Sequence, residues 1–382
     1  MDLTLNEDQE AFAESIDDAL ARKYTAEFRG KAAASDVGWD EKLFSTLAEI
    51  GASALTIDEE HDGLDAGAGE VYAALYALGQ NAAIEPFLDG VYLPSWLLAA
   101  SGSAPDEVLT ALASGEAIAA VAHSEPGRVW DAAPSTTATG DGDGDKVTLS
   151  GTKTAVAHAD QAKWLLVTAS GDAGFGVYLV NGDAEGITRT DGRTADWTRV
   201  SRVAFEGTPA TLLGSSGDEA RRTFDAAVAR ARIAVLAEAV GLMDRASKVT
   251  VDYLKSRKQF GVPLSTFQAL VHRAADLYAE VELARSVALW ATASLERDAQ
   301  TDDTDVDATA DDAFVYIAHA ARVVAEEVVQ LHGGIGMTFE TPISHYAARL
   351  TSIEQSYGGV AAARRRVLKS DSPLTAPTVV RS

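Results

Sequence analysis

The chain contains no cysteine. That excludes disulfides, thiolate nucleophiles and zinc sites built on Cys. Positive charge is scarce: 32 Lys and Arg stand against 57 Asp and Glu, a formal charge of -25. So acidic a chain argues against a nucleic-acid or anionic-membrane surface, although a local basic cluster can still hold a small anion. No run approaches the roughly 18 uninterrupted apolar residues of a spanning helix. The opening MDLTLNEDQEAFAESI lacks the basic and apolar regions of a signal peptide. The expected location is therefore cytoplasmic. The common catalytic signatures are absent as well, with no G-x-S-x-G, P-loop, H-E-x-x-H or G-x-G-x-x-G. The seven His do not fall at metal-ligand spacing, so no metal is expected.

What is present is a large apolar fraction, 47% of 382 residues, enough for a substantial core. The fold class expected is α+β. The first part, residues 1–115, reads as helices: apolar positions recur every three or four residues in DLTLNEDQEAFAESIDDALARKY, DEKLFSTLAEIGA, GEVYAALYALGQN and LDGVYLPSWLLAAS. Residues 116–215 change texture. AIAAVAH, DKVTLSG, KWLLVTAS, FGVYLV and SRVAFEG are short, rich in strand formers and separated by Gly and Asp, which predicts an antiparallel β-barrel or sheet. Within it TGDGDGDK (139–146) begins like a calcium loop. Lys146 stands where such a loop needs Gly, and Thr152 where it needs Glu, so a hairpin turn is the reading. Residues 216–382 return to helical period and suit a four-helix bundle. An acidic connection, DAQTDDTDVDATADD, is expected to be exposed between two of its helices, and the tail SPLTAPTVVRS to fray.

Two stretches are candidates for chemistry. In SRKQFGVPLSTFQALVHRAADL (256–277) a turn between long helices carries Arg257, Gln259, Phe260 and Gln268. Arg can clamp a phosphate, Phe can cover a ring and Gln can read a polar edge. In VVQLHGGIGMTFETP (328–342) glycines at a helix end allow close backbone approach. Each can equally be a plain turn or a helix cap. A third oddity is Glu238, a single carboxylate in the apolar helical run RIAVLAEAVGLM. A buried carboxylate is costly unless it is paired or has a task.

RKQFGVPLSTFQALVHRAADL followed by QLHGGIGMTFETP resembles the signature regions of the flavin-dependent acyl-CoA dehydrogenases. SEP (124–126) and SGTKTAVAHADQAKWLLV (150–167) fit that family's middle domain, and the resemblance runs to about residue 369. It implies an N-terminal helical domain, a β-barrel, a four-helix bundle, and FAD held where subunits of a dimer of dimers meet. By motif, Arg257, Gln259, Phe260, Leu264, Phe267 and Gln268 contact a neighbour's FAD, Gln330, Gly333 and Gly334 approach its adenosine side, and Ser124 faces the flavin. The implied reaction is α,β-dehydrogenation of an acyl-CoA, with electrons passed to an electron-transferring flavoprotein.

The chain departs from the family where the base belongs. The Glu-Gly-Thr place holds Tyr357, Gly358 and Gly359, and the second family place, just before Arg232, holds Ala231. Glu238 lies seven residues beyond Ala231, on the same helix face and about 10 Å along it. Glu238 is thus the candidate base, with Arg232 assigned to the substrate and Glu354 a weaker alternative. A structural Glu paired with a buried Arg is the competing account. The flavin-covering Trp of the barrel is also absent, with Ala155 and Ala157 in its neighbourhood. SHYAARLTSIEQSYGG resembles the actinobacterial subgroup acting on sterol side chains, some of whose members are assemblies of two unlike chains. A competent dehydrogenase and a base-less partner completing another chain's FAD site are the two readings left open, with an oxidase or flavin monooxygenase a third.

Overall fold

The computed structural model describes residues 5–140, 146–301 and 306–369. Six α-helices come first: α1 (Glu7–Ala21), α2 (Ala26–Ala34), α3 (Glu41–Glu49), α4 (Ala68–Gln80), α5 (Leu93–Ser101) and α6 (Asp106–Ala113). Local chemistry sets their starts. Asn6 and Gln9 form a reciprocal capping box on α1, and Asp40 caps α3. Just before α5 the backbone makes a π-turn over Leu88–Tyr92, a wide turn often found at functional sites, and it carries Asp89.

The middle strands are β1 (Ala119–Ala122), β2 (Thr137–Gly140), β3 (Lys146–Ala157), β4 (Trp164–Gly171), β5 (Gly174–Asn181), β6 (Ile187–Arg193) and β7 (Arg199–Leu212). Pairings β4–β2, β2–β3, β3–β7, β7–β5 and β5–β4 close a ring, while β1 adds to β4 and β6 to β7. The sheet is mixed, which corrects the antiparallel expectation: β1 runs parallel to β4, and β2 meets β4 in parallel at Thr137–Ser170. Periodicity reports which face of a strand is buried and is silent on strand direction. The segment 141–145, read as a hairpin turn, lies outside the described residues, as does the tail beyond 369; β2 and β3 on either side of that segment pair antiparallel.

The last part opens with α7 (Asp218–Ser256), 39 residues and about 58 Å long. A two-stranded turn follows, β8 (Lys258–Gln259) and β9 (Val262–Pro263), then α8 (Gln268–Thr301), α9 (Val306–His332), α10 (Pro342–Ile353) and α11 (Gly359–Val367). Helices α7 to α10 form the bundle. Parts of the acidic connection are helical and buried, where exposure was expected: α8 extends to Thr301 and α9 begins at Val306 with Ala310 and Asp311 buried, while residues 302–305 lie outside the described residues. Helix α4 crosses α7 at very close range. A Cβ on Gly79 would overlap the Glu238 carbonyl, and one on Gly241 would overlap that of Tyr76. This crossing fixes the turn of α7 that carries Glu238.

Candidate active site and cofactor surface

A cleft of about 520 Å³ opens between the barrel, the π-turn, α7 and the α10–α11 junction. Ser124, Ala155 and Ala157 line its barrel side, and Asp89, Arg349 and Tyr357 its helical side. The strand β3 bulges there, with Ala155 in the left-handed region at φ 50°. Behind Ser124 is a buried polar network. Lys153 donates to Glu125 at 2.8 Å, to Thr168 Oγ1 at 3.1 Å and to the His123 carbonyl at 3.1 Å. His123 Nε2 meets the Trp130 carbonyl at 2.9 Å and so carries the ring proton, leaving Nδ1 to accept from Thr168 at 2.9 Å. Burial pushes His123 down to about 4, so the ring is neutral at pH 7. Burial works to raise Glu125, but Lys153 and the Ser135 hydroxyl and amide hold its carboxyl well below the usual range. The network holds the segment 123–125 against β3, where Thr154 N donates to the Ser124 carbonyl at 2.9 Å.

The helical side is closed by charge. Glu238 is buried at 6% exposure, and both its oxygens are taken by Arg349, Nε to Oε1 at 2.6 Å and Nη2 to Oε2 at 2.9 Å. The same guanidinium donates through Nη1 to Asp196 at 3.0 Å. Asp196 also accepts from Thr194 and Thr198. Burial alone would raise Asp196; Arg349 and these hydroxyls hold it below the ordinary carboxylate value. Glu238 is not among the groups lining the cleft, whereas Arg349 and Asp196 are.

Tyr357 stands in a left-handed conformation, φ 50° and ψ 44°, and its hydroxyl donates to Asp89 Oδ1 at 2.7 Å. The next residue must be Gly, because at φ 92° a Cβ on Gly358 would come within 2.7 Å of the Trp130 ring. Arg232 does not reach the cleft. It is buried at 6% exposure, bonded to Asp311 at 3.3 Å and to the Tyr357 carbonyl at 3.2 Å, so it braces the Tyr357 turn. Glu354 is held by Arg322. Sequence reasoning did not single out Asp89, Asp196 or Arg349. The one available signal was a lone Asp in the apolar stretch PFLDGVYL.

Beside the cleft a small space of about 30 Å³, the size of one water, is lined by Glu85, Asp89, His158 and Glu238. Glu85 Oε2 accepts from Tyr24 at 2.9 Å, while Oε1 is buried without a partner. Burial pushes the Glu85 carboxyl up to about 7. A carboxyl raised on folding contributes stability below its unfolded value of about 4.5 and loses it as pH rises through the folded value. Stability is therefore expected to fall between pH 5 and 8. Glu85→Gln should flatten that slope and raise stability at pH 8 by up to about 3 kcal/mol, read from denaturation profiles of both proteins.

The turn 257–268 is far from this cleft. Val228 lines the cleft, and the 28 residues from there to Ser256 rise about 42 Å. At that far end Tyr253, just before the first motif, stacks on His332 of the second at 4.4 Å, next to Gly333. Arg257 is exposed and has no side-chain partner among the described residues. Phe260 is 91% exposed in a left-handed conformation, φ 55°, a strained and solvated placement for an aromatic residue. Phe267 stands beside it, with ring centroids 6.1 Å apart; Gln259, Gln268 and Gln330 are also exposed, and Leu264 is half-buried. A Cβ on Gly333 or Gly334 would meet nothing of this chain within 4 Å. An unpaired cation, open rings and bare glycine backbone suit a phosphate-bearing planar cofactor approached from outside the chain.

The fold runs from a helical first part through a closed mixed sheet to a helical bundle. Residues 120–207 match the acyl-CoA dehydrogenase middle domain and residues 222–370 the acyl-CoA dehydrogenase C-terminal domain. The acyl-CoA dehydrogenase FadE28 of Mycobacterium tuberculosis is 30% identical, over 94% of this chain and 96% of its own. Among solved structures, the Tcur3481–Tcur3483 steroid ACAD G363A variant superposes with TM-score 0.86 at 29% identity, over 96% of this chain and 98% of that one. The ChsE4–ChsE5 complex from M. tuberculosis superposes with TM-score 0.85 at 26% identity, over 98% and 100%. The chain belongs to the acyl-CoA dehydrogenase family, oxidoreductases acting on acyl-CoA.

Proposed function

We propose that this chain is one member of an unlike pair, an α2β2 assembly that carries out FAD-dependent α,β-dehydrogenation of a bulky or branched acyl-CoA of the sterol side-chain type. In this reading the chain completes its partner's FAD site and leaves α-proton removal to the partner. The observation that carries it is Glu238, whose two oxygens are both occupied by Arg349, while Ala231 and Tyr357 occupy the other places where the family keeps a base. A carboxylate held in a bidentate pair is a poor proton acceptor, because protonation would break the pair. Glu238 and Arg232 are then scaffold residues, one bracing the cleft wall and the other the Tyr357 turn.

The surface at the end of α7 is what the chain supplies. Arg257 pairs with the FAD pyrophosphate, Phe260 and Phe267 cover the ring system, and the backbone at Gly333 and Gly334 with Gln330 receives the adenosine side. Ser124 presents the barrel's polar edge. Bound FAD supplies hydride acceptance from the acyl β-carbon, and an electron-transferring flavoprotein receives the electrons. Both solved relatives, Tcur3481–Tcur3483 and ChsE4–ChsE5, pair two unlike chains, and the first is a steroid ACAD, which supports both the assembly and the substrate class.

Solution mass with flavin counting tests this. The expected result is a heterotetramer with fewer FAD than chains, and no turnover by this chain alone. A stable homotetramer with one FAD per chain that oxidises acyl-CoA unaided would overturn it, and would move proton removal to Asp89, one of two carboxylates lining the cleft and the one not hydrogen-bonded to Arg349.

A further inference from the structure

Asp89 and Arg349 line the cleft, and both also line the small space beside it. Each has hydrogen-bonding capacity that the protein leaves unspent. Arg349 Nε and Nη2 donate to Glu238 and Nη1 to Asp196, so a second hydrogen on Nη1 and on Nη2 is free, on a side chain that keeps 16% exposure. Asp89 is half-buried. Its Oδ1 accepts from Tyr357 at 2.7 Å, while Oδ2 has no partner among the described residues and is not sealed in the interior. The ion pairs of Arg349 go to Asp196 and Glu238, not to Asp89. Yet Asp89 is near enough for its charge to act. Burial works to lower Arg349, and the carboxylates of Glu238, Asp196 and Asp89 hold its cation well above the ordinary guanidinium value. Thr198, the third residue lining both spaces, is committed to Asp196 at 3.0 Å. The π-turn fixes Asp89: a Cβ on Gly90 would come within 3.1 Å of the Pro86 side chain and 3.3 Å of that of Ile118. Leu93, Val121 and Val228 supply apolar wall to the same cleft. An acyl group lying on that wall displaces water from Asp89 and Arg349, and charged groups that lose hydration without a substitute are costly. A ketone can only accept. A hydroxyl replaces both bonds, donating to Asp89 and accepting from Arg349.

We propose that Asp89 is a specificity-determining residue of this cleft, and that the cleft takes an acyl-CoA whose acyl group bears a hydroxyl, set between Asp89 Oδ2 and Arg349. The proposal rests on the acyl-CoA substrate class of the function proposed above, and not on which chain removes the α-proton.

Equilibrium binding of hexanoyl-CoA, 3-hydroxyhexanoyl-CoA and 6-hydroxyhexanoyl-CoA to the purified assembly tests it. One of the hydroxylated ligands should bind about tenfold or more tightly than hexanoyl-CoA, the size of a hydrogen bond to a charged group. Asp89→Asn keeps an acceptor for Tyr357 but loses the free carboxylate oxygen. It should bring the preference to within about threefold and leave hexanoyl-CoA affinity in place, whereas a purely structural Asp89 would weaken all three ligands alike. Tyr357→Phe spares Oδ2 and should keep the preference. Equal affinity for the three ligands would overturn the proposal and leave the space between Asp89 and Arg349 to a water, with acyl-CoA binding itself intact. Binding of none of them would overturn the acyl-CoA reading as well. A preference unchanged by Asp89→Asn would place the hydroxyl elsewhere and equally overturn the proposal.

Discussion

Arg349→Ala is expected to lower stability by about 3–5 kcal/mol, the cost of stripping a buried ion pair of one partner. The guanidinium lies on α10 and holds Glu238 of α7 and Asp196, between β6 and β7. Both carboxylates would be left buried without their cation. Arg29 of α2 cannot take over, because it is already committed to the Ala82 carbonyl at 2.9 Å, the Asp196 carbonyl at 2.9 Å and His345 at 3.1 Å. Since Arg349 ties barrel to bundle, the loss should appear as earlier separation of these parts in thermal unfolding. Replacing the pair together, Arg349→Met with Glu238→Gln, should recover part of the loss, as buried pairs exchanged for neutral groups often do. The companion measurement is Glu238→Gln in the assembled enzyme. The scaffold role predicts reduced stability with turnover kept within a few-fold. A fall of a hundredfold or more with fold and flavin intact, the size of a general-base loss, would return Glu238 to the chemistry.

Arg257→Ala should weaken flavin retention by roughly tenfold to a hundredfold, the effect of losing a charge-assisted bond of about 1.5–3 kcal/mol. Its side chain is exposed and unpaired among the described residues, so the folded chain should be as stable as the parent. Flavin absorbance after gel filtration reads the first effect and thermal unfolding of the isolated chain reads the second. Full flavin occupancy in the variant assembly would remove Arg257 from the cofactor site. Arg257→Lys should restore charge without the planar fork and recover only part of the affinity.

Much of this protein was determined by sequence alone. Helical and strand periods set the order of helices, strands and helices, because burial on one face repeats every 3.6 or 2 residues whatever the neighbours are. The turn carrying Arg257, Gln259 and Phe260 and the glycine pair at 333–334 are local motifs, legible because their residues are contiguous. Helices α2 and α6 and strands β2 and β6 were not read from the sequence; the two strands are mostly exposed, so they lack the apolar alternation that marks a strand. The parallel placement of β1 beside β4 needed the third dimension, since strand direction leaves no trace in side-chain alternation. The role of Glu238 was decided there too. Its oddity was visible in an apolar helix, but its partner Arg349 is 111 residues away, and only the close crossing of α4 and α7 with α10 alongside brings them together. The same holds for Tyr357 and Asp89, 268 residues apart. Whether a buried charge is a reagent or a strut depends on what faces it, and that is a property of packing between elements, on which local sequence has no hold.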